Sequence, residues 1–164
     1  MYTLIILFYS LGAHIAALFS KKVRLMIKGQ HETFGKLRSE IDPDAHYVWV
    51  HAASLGEFEQ GRPLIERIRA SHPHIKILLT FFSPSGYEVR KNYEGADVIC
   101  YLPFDTPLNA RRFVRLANVK MAFFVKYEFW RNYIGALHRN DIPVYSVSSI
   151  FRPDQIFFRW YGKG

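Results

Sequence analysis

From residue 47 onward, short apolar runs alternate with helix-patterned stretches, and this alternation restricts the fold more than any other feature of the chain. The runs are Tyr47–Val50 (YVWV), Ile75–Thr80 (IKILLT), Asp97–Tyr101 (DVICY), Met121–Val125 (MAFFV) and Pro143–Val147 (PVYSV). They are rich in β-branched and aromatic residues, and most are apolar at successive positions. That is the pattern of strands covered on both faces, as in a parallel sheet. Between them, residues 57–71, 85–93, 106–118 and 128–139 carry apolar side chains at helical spacing. In the first of these, Leu64, Ile65 and Ile68 share a face that Glu66, Arg67 and Arg69 avoid. Asp105 reads as the N-cap of the third, with Pro107 in its first turn. Short links between strands and helices imply βαβ units with right-handed crossovers and an open α/β sheet. A chain of 164 residues has room for one such domain. Ligands of these sheets bind beyond the carboxyl ends of the strands, so the turns that follow each strand carry the chemistry.

Residues 1–20 contain no Asp, Glu, Lys or Arg, and His14 is their only titratable side chain besides tyrosines. A helix of about 20 residues, at ~1.5 Å each, matches the ~30 Å hydrocarbon core of a bilayer. Lys21, Lys22, Arg24 and Lys28 follow at once, which predicts that the remainder lies on the cytoplasmic side. A cleaved signal peptide would have basic residues before the apolar stretch and a small-x-small site after it; neither is present. An amphipathic or buried helix is the competing reading, supported by Gly12 and His14. Residues 1–28 therefore read as a membrane-anchor helix with its basic flank, 29–45 as a polar connector and 46–164 as the α/β domain.

Composition removes several classes. A hydrophobic share of 49% and an aromatic share of 16% exclude intrinsic disorder. The single cysteine, Cys100, excludes a disulfide framework or a multi-cysteine metal site, and its apolar run marks it as an inert core thiol. No HxxxH or HExxH spacing occurs, so no metal site is expected. GxGxxG, the Walker loop and the GxSxG elbow are also missing. The net charge of +8 implies an anionic partner: nucleic acid, acidic lipid headgroups or a phosphorylated metabolite. Nucleic acid ranks last, because the basic residues are scattered through helices behind an apolar N-terminus.

Three post-strand turns carry chemistry. In His51–Glu57 (HAASLGE), Ala52, Ala53, Ser54 and Gly56 are small enough for a ligand to approach the backbone. Glu57, near the start of the next helix, is either a first-turn acid worth about 0.3–1 kcal/mol against the helix dipole or a general base. Spacing alone favours the first reading. In Thr80–Gly86 (TFFSPSG), Ser83, Ser85 and Gly86 offer hydroxyls and backbone N–H groups to phosphate or sugar oxygens. An N-cap serine followed by proline accounts for much of the same pattern. In Val125–Asn132 (VKYEFWRN), Lys126, Glu128, Arg131 and Asn132 surround Tyr127, Phe129 and Trp130, with more charge than a core helix start requires.

WVHAASLGE, LLTFFSPSGYE, YLPFDTPLNARRF, KYEFWRN and IPVYSVSSIF, in this order and spacing, resemble the N-terminal domain of the 3-deoxy-D-manno-octulosonic acid (Kdo) transferases of Gram-negative bacteria. The resemblance runs from about Tyr47 to the end of the chain, and the apolar N-terminus is similar to the family's membrane anchor. It implies the N-terminal lobe of a GT-B glycosyltransferase, a Rossmann-like open parallel sheet preceded by an anchor in the bacterial inner membrane, facing the cytoplasm. It also implies acceptor binding in this lobe, with a lipid A precursor as acceptor, and no cofactor or metal. The donor CMP-Kdo would be held mainly by a C-terminal domain beyond this chain. Transfer would invert the anomeric centre in one displacement. On the family's motifs, Glu57 falls at the general base and Glu128 at the glutamate that stabilises the transition state. Ser54, Gly56, Ser83, Ser85, Gly86, Lys126 and Arg131 are the expected acceptor-binding positions.

Two departures stand out. Lys126 and Arg131 replace the family's usual Glu and Pro, and Ile150, Phe151 and Arg152 replace Arg-Leu-Ser. The first suggests a pocket that offers more positive charge to a phosphate. A helix N-terminus is expected to lower the pKa of Glu57, a tension with its role as base. The chain ends in FFRWYGKG, just after an amphipathic segment begins, so these residues are expected to be inactive without a second lobe. A non-enzymatic module for an anionic glycolipid, or another GT-B transferase acting on a lipid-linked sugar, stands as the alternative.

Overall fold

The computed structural model describes residues 1–149; the FFRWYGKG segment and the Ile150–Arg152 departure lie outside the described residues. The described chain runs α1 (Tyr2–Phe19), α2 (Lys21–Glu40), β1 (Tyr47–Ala52), α3 (Leu55–Ser71), β2 (Lys76–Phe81) and α4 (Pro84–Arg90), continuing through β3 (Val98–Tyr101), α5 (Pro107–Ala117), β4 (Val119–Val125), α6 (Arg131–His138) and β5 (Val144–Val147). All strand pairs are parallel and the sheet order is β3-β2-β1-β4-β5. The chain therefore builds outward from β1 to one edge and then returns to its other side. The switch in direction lies between β1 and β4, where an open α/β sheet forms its ligand crevice.

Strand residues divide by parity between two cores. Tyr47, Trp49, Leu78, Cys100 and Phe124 face Phe113 of α5, Tyr133 of α6 and Leu37 of α2. Val48, Val50, Ile77, Leu79 and Phe81 face Phe58 and Ile65 of α3. Trp49 is fully buried, with ring centres of Phe113, Phe124 and Tyr133 at 4.8, 5.1 and 5.7 Å. This double coverage is why the strands read as continuous apolar runs. Cys100 lies inside the first core, where burial pushes its thiol up to about 12 and leaves it unreactive.

Two local readings are corrected. The stretch read as a polar connector is helical as far as Glu40. Its buried positions, Met26, Gln30, Thr33 and Leu37, keep helical spacing, but two are polar, which disguises the apolar stripe. Each finds a backbone partner: Gln30 Oε1 accepts from the Phe104 N–H at 3.2 Å, and the Thr33 hydroxyl donates to the Tyr101 carbonyl at 2.8 Å. Asp105, in turn, does not cap α5. Thr106 does, its hydroxyl accepting from the Asn109 N–H at 3.2 Å. Asp105 is buried and accepts from N–H groups in the first turn of α6, Asn132 at 3.0 Å and Tyr133 at 2.9 Å, and from the Tyr2 hydroxyl at 2.7 Å.

α1 is long and apolar enough to cross a membrane. Ile6 and Ala13 are buried against the domain, and Tyr9 meets Phe82 and Phe104, whereas Leu4, Ile5, Leu7, Phe8, Leu11, Ile15, Leu18 and Phe19 are exposed. α1 turns into α2 at Ser20, and the Arg24 guanidinium caps its end by donating to the carbonyls of Ala17 at 3.0 Å and Leu18 at 3.1 Å.

α2 approaches β3 so closely at Gly29 that a Cβ there would overlap the buried Tyr101 ring. Gly29→Ala is expected to destabilise the fold by about 1–3 kcal/mol in urea denaturation followed by circular dichroism. Gly35→Ala in the same helix, where a Cβ meets nothing within 4 Å, should instead gain about 0.5–1 kcal/mol.

Candidate active site at the strand ends

The turns after β1 and β4 flank the switch point and carry both glutamates. Ser54 is the N-cap of α3 and forms a capping box with Glu57, whose Oε2 accepts the Ser54 backbone N–H at 3.1 Å. The helix-start reading of Glu57 is thus realised, but the expected fall in its pKa is not. Burial raises it first and repulsion from Glu128 second, against the lowering effect of the Ala53 and Ser54 N–H groups. The carboxylate is held where its charge is costly.

Lys126 adopts a left-handed conformation, φ 62°, directly after β4. Its N–H donates to the Val147 carbonyl at 2.7 Å, and its own carbonyl accepts from the Ser146 and Ser149 hydroxyls at 3.1 and 2.6 Å. This turn swings Glu128 and Trp130 back over β1. Glu128 Oε2 comes to 3.7 Å from His51 Nε2, and the Trp130 indole N–H donates to the same nitrogen at 3.2 Å.

His51 is fully buried at the end of β1, beside its register partner Thr80 of β2. Indole is only a donor, so His51 Nε2 must accept and the neutral ring carries its proton on Nδ1. That proton goes to the Thr80 hydroxyl at 2.9 Å, which also accepts from the Trp49 indole at 2.8 Å. Trp130 completes the wall by packing its ring on Phe82, 5.1 Å between centres.

Ser83 caps α4, accepting from the Ser85 N–H at 3.3 Å, with the two hydroxyls 3.0 Å apart. Ser83 also lines a cavity of about 530 Å³ with Lys22 and the apolar side chains of Tyr9, Val23, Met26 and Phe82. Gly56 is exposed on the first turn of α3, and a Cβ there would meet nothing within 4 Å. Gly86, by contrast, is buried against Phe81, whose ring a Cβ would overlap, so packing alone accounts for glycine there. Arg131 is not brought beside Glu57; it lines a smaller cavity of about 240 Å³ with Met1, Tyr2, Thr3 and Asn132. Among the described residues, no group of three or more His, Cys, Asp or Glu is placed to hold a metal ion.

Sequence reasoning passed over His51, Thr80 and Trp130 as functional groups. The available signal was the isolated polar residue near the carboxyl end of two apolar strands that become neighbours.

Comparison with known proteins points to one family. The family described as 3-deoxy-D-manno-octulosonic-acid transferase (kdotransferase) matches residues 28–161. The chain is 33% identical over 113 residues to the 3-deoxy-D-manno-octulosonic acid transferase of Haemophilus influenzae, covering 68% of this chain and 26% of that protein. To the enzyme of the same name from Aquifex aeolicus it is 38% identical over 88 residues, 53% of this chain and 24% of that protein. The corresponding protein of Bordetella pertussis is 30% identical over 115 residues, 66% and 26% of the two chains. The chain thus spans about a quarter of the length of these curated relatives. By this match over most of its length, the chain belongs to the 3-deoxy-D-manno-octulosonic acid transferase family.

Proposed function

We propose that this chain supplies the acceptor lobe and catalytic base of an inverting GT-B glycosyltransferase that moves Kdo from CMP-Kdo to a lipid A precursor. The observation that carries the reading is Glu57, a half-buried carboxylate with raised pKa facing a second glutamate at the switch point. Glu57 takes the proton from the attacking acceptor hydroxyl while that oxygen forms a bond to the anomeric carbon. The bond to the CMP phosphate breaks, and the phosphate leaves with the electron pair. Glu128, held beside His51 and Trp130, places negative charge where positive charge develops on the sugar.

Gly56, open on its exposed side, and the Ser83–Ser85 hydroxyls face the acceptor, and Lys126 with Arg131 adds charge toward its phosphates. CMP-Kdo is held by a second lobe, and neither lobe contributes a cofactor. α1, exposing a broad apolar face and followed by Lys21, Lys22, Arg24 and Lys28, holds the domain at the cytoplasmic face of the inner membrane.

In the full-length enzyme, Glu57→Ala is expected to lower Kdo transfer by about 10²–10⁴-fold with the circular dichroism spectrum unchanged. Retained transfer would refute the assignment of the base. Glu128→Gln should lower kcat while leaving KM near its original value, the signature of a contact made in the transition state.

The raised pKa of Glu57 also has a sign in stability. The protonated acid is favoured in the folded state, so its contribution is present at low pH and lost as pH rises through the folded-state value. Glu57→Gln keeps an oxygen for the Ser54 N–H but removes the charge. Its thermal midpoint should exceed that of the unsubstituted chain at about pH 8, and the gap should close at about pH 3.

A further inference from the structure

α1 is long enough to cross a bilayer, yet the domain grips it along its length. Its first turn is tied by the Tyr2 hydroxyl, which donates to the buried Asp105 carboxylate at 2.7 Å. One turn on, Ile6 is buried, and Tyr9 sets its ring edge to face with Phe104, 5.7 Å between centres. Ala13 is buried further along. At the far end the chain turns at Ser20, and α2 folds back beside α1, bringing the His31 ring to 5.9 Å from that of His14. Both ends of α1 are thus fastened to one domain. A helix that crossed a hydrocarbon core of ~30 Å would have to carry one end away from it.

The opposite face is apolar and uncovered. Leu4, Phe8, Leu11, Ile15 and Leu18 recur at helical spacing with Phe19 beside them; all six are exposed, Phe8 to 73%. Soluble surfaces rarely leave so long an apolar stripe open to water. Thr3, Ser10 and His14 form a polar line along one edge, so the helix is not apolar all round, as a lipid-surrounded span is.

Charge completes the pattern. Lys21, Lys22, Arg24 and Lys28 are exposed, and the first acidic residue of the chain is Glu32. Lys21 and Lys22 follow directly on the stripe, where a helix lying in the interface meets anionic headgroups. A transbilayer α1 would instead draw the neighbouring charges of α2, Lys28 and Glu32 among them, into hydrocarbon.

We propose that α1 does not cross the bilayer: it lies in the plane of an anionic leaflet, its exposed stripe sunk among the acyl chains and its other face docked on the domain. The inference rests on the membrane attachment proposed above and gives it a form, a seat in one leaflet. It does not depend on the transfer reaction.

The test uses the full-length protein in bacterial inner membranes, with an uncharged, protease-sensitive epitope joined ahead of the exposed Met1. Protease added to inverted vesicles should remove the epitope, and protease added to intact spheroplasts should spare it. Removal from the outer face of spheroplasts would mean that α1 spans, overturning the proposal while leaving membrane attachment standing. Phe8→Glu combined with Leu11→Glu should lower the membrane-bound fraction at least about tenfold, with the circular dichroism spectrum in detergent unchanged. An unchanged bound fraction would also overturn the proposal, because the stripe would then not face lipid. If the double variant misfolds, the epitope result alone decides. Recovery of the unsubstituted protein in the soluble fraction would remove membrane attachment itself and the proposal with it. A concentration-dependent dimer in that fraction would assign the stripe to a second copy of this chain.

Discussion

A parallel sheet covered on both faces tolerates polar side chains only where each finds a partner, and here that constraint builds the site. Trp49, Thr80, His51 and Trp130 form one continuous hydrogen-bonded chain, with Trp49, Thr80 and His51 at 0% exposure. It joins β1 to β2 and then to the turn after β4. Each of the three turns that flank the crevice follows directly from a member of that chain or contains one. A change at His51 would leave two partners, Thr80 and Trp130, short of a bond in a buried setting, where an unpaired donor costs about 1–3 kcal/mol. Local strand propensity does not set the relative position of the Glu57 and Glu128 turns. This shared buried chain does.

Asp105 performs a comparable service on the other side of Trp130. One carboxylate accepts from the first turn of α1, through Tyr2, and from the Asn132 and Tyr133 N–H groups in the first turn of α6. Desolvation works against its ionised form and the hydrogen bonds favour it, with burial the larger effect. The apolar N-terminal helix and the helix that follows Glu128 thus share one acceptor. What holds α1 against the domain also holds the start of α6.

The strands were legible because burial on both faces writes a one-dimensional signal, apolar at every position. α2 was not, since Gln30 and Thr33 sit on its buried face and are made tolerable by backbone atoms of β3 and the turn after it, which the local pattern does not contain. Asp105 was misread for a related reason. Asp-Thr-Pro offers two capping residues in succession, and the choice between them was made by α6, 27 residues away. At the site, Glu57 and Glu128 were singled out through motif resemblance, and spacing put Glu57 in the first turn of a helix, while its capping box with Ser54 appears only in the structure. The role of His51 needed Trp130, 79 residues distant, and that pairing exists only once the turn after β4 folds back.

Glu57 combines two features that looked opposed. As a capping residue it needs a backbone N–H at its carboxylate, which stabilises the anion; the base proposed for this position needs the anion to be costly. Oε2 accepts from the Ser54 N–H, and the Ala53 N–H also favours the anion. The upward push comes from burial first and from Glu128 second. Glu128 Oε2 lies 3.7 Å from His51 Nε2, and the Trp130 indole donates to that same nitrogen. The indole thus ties the turn that carries Glu128 to the end of β1, where the Glu57 turn begins. A tryptophan 79 residues from His51 in the chain in this way fixes where the second glutamate sits relative to the first.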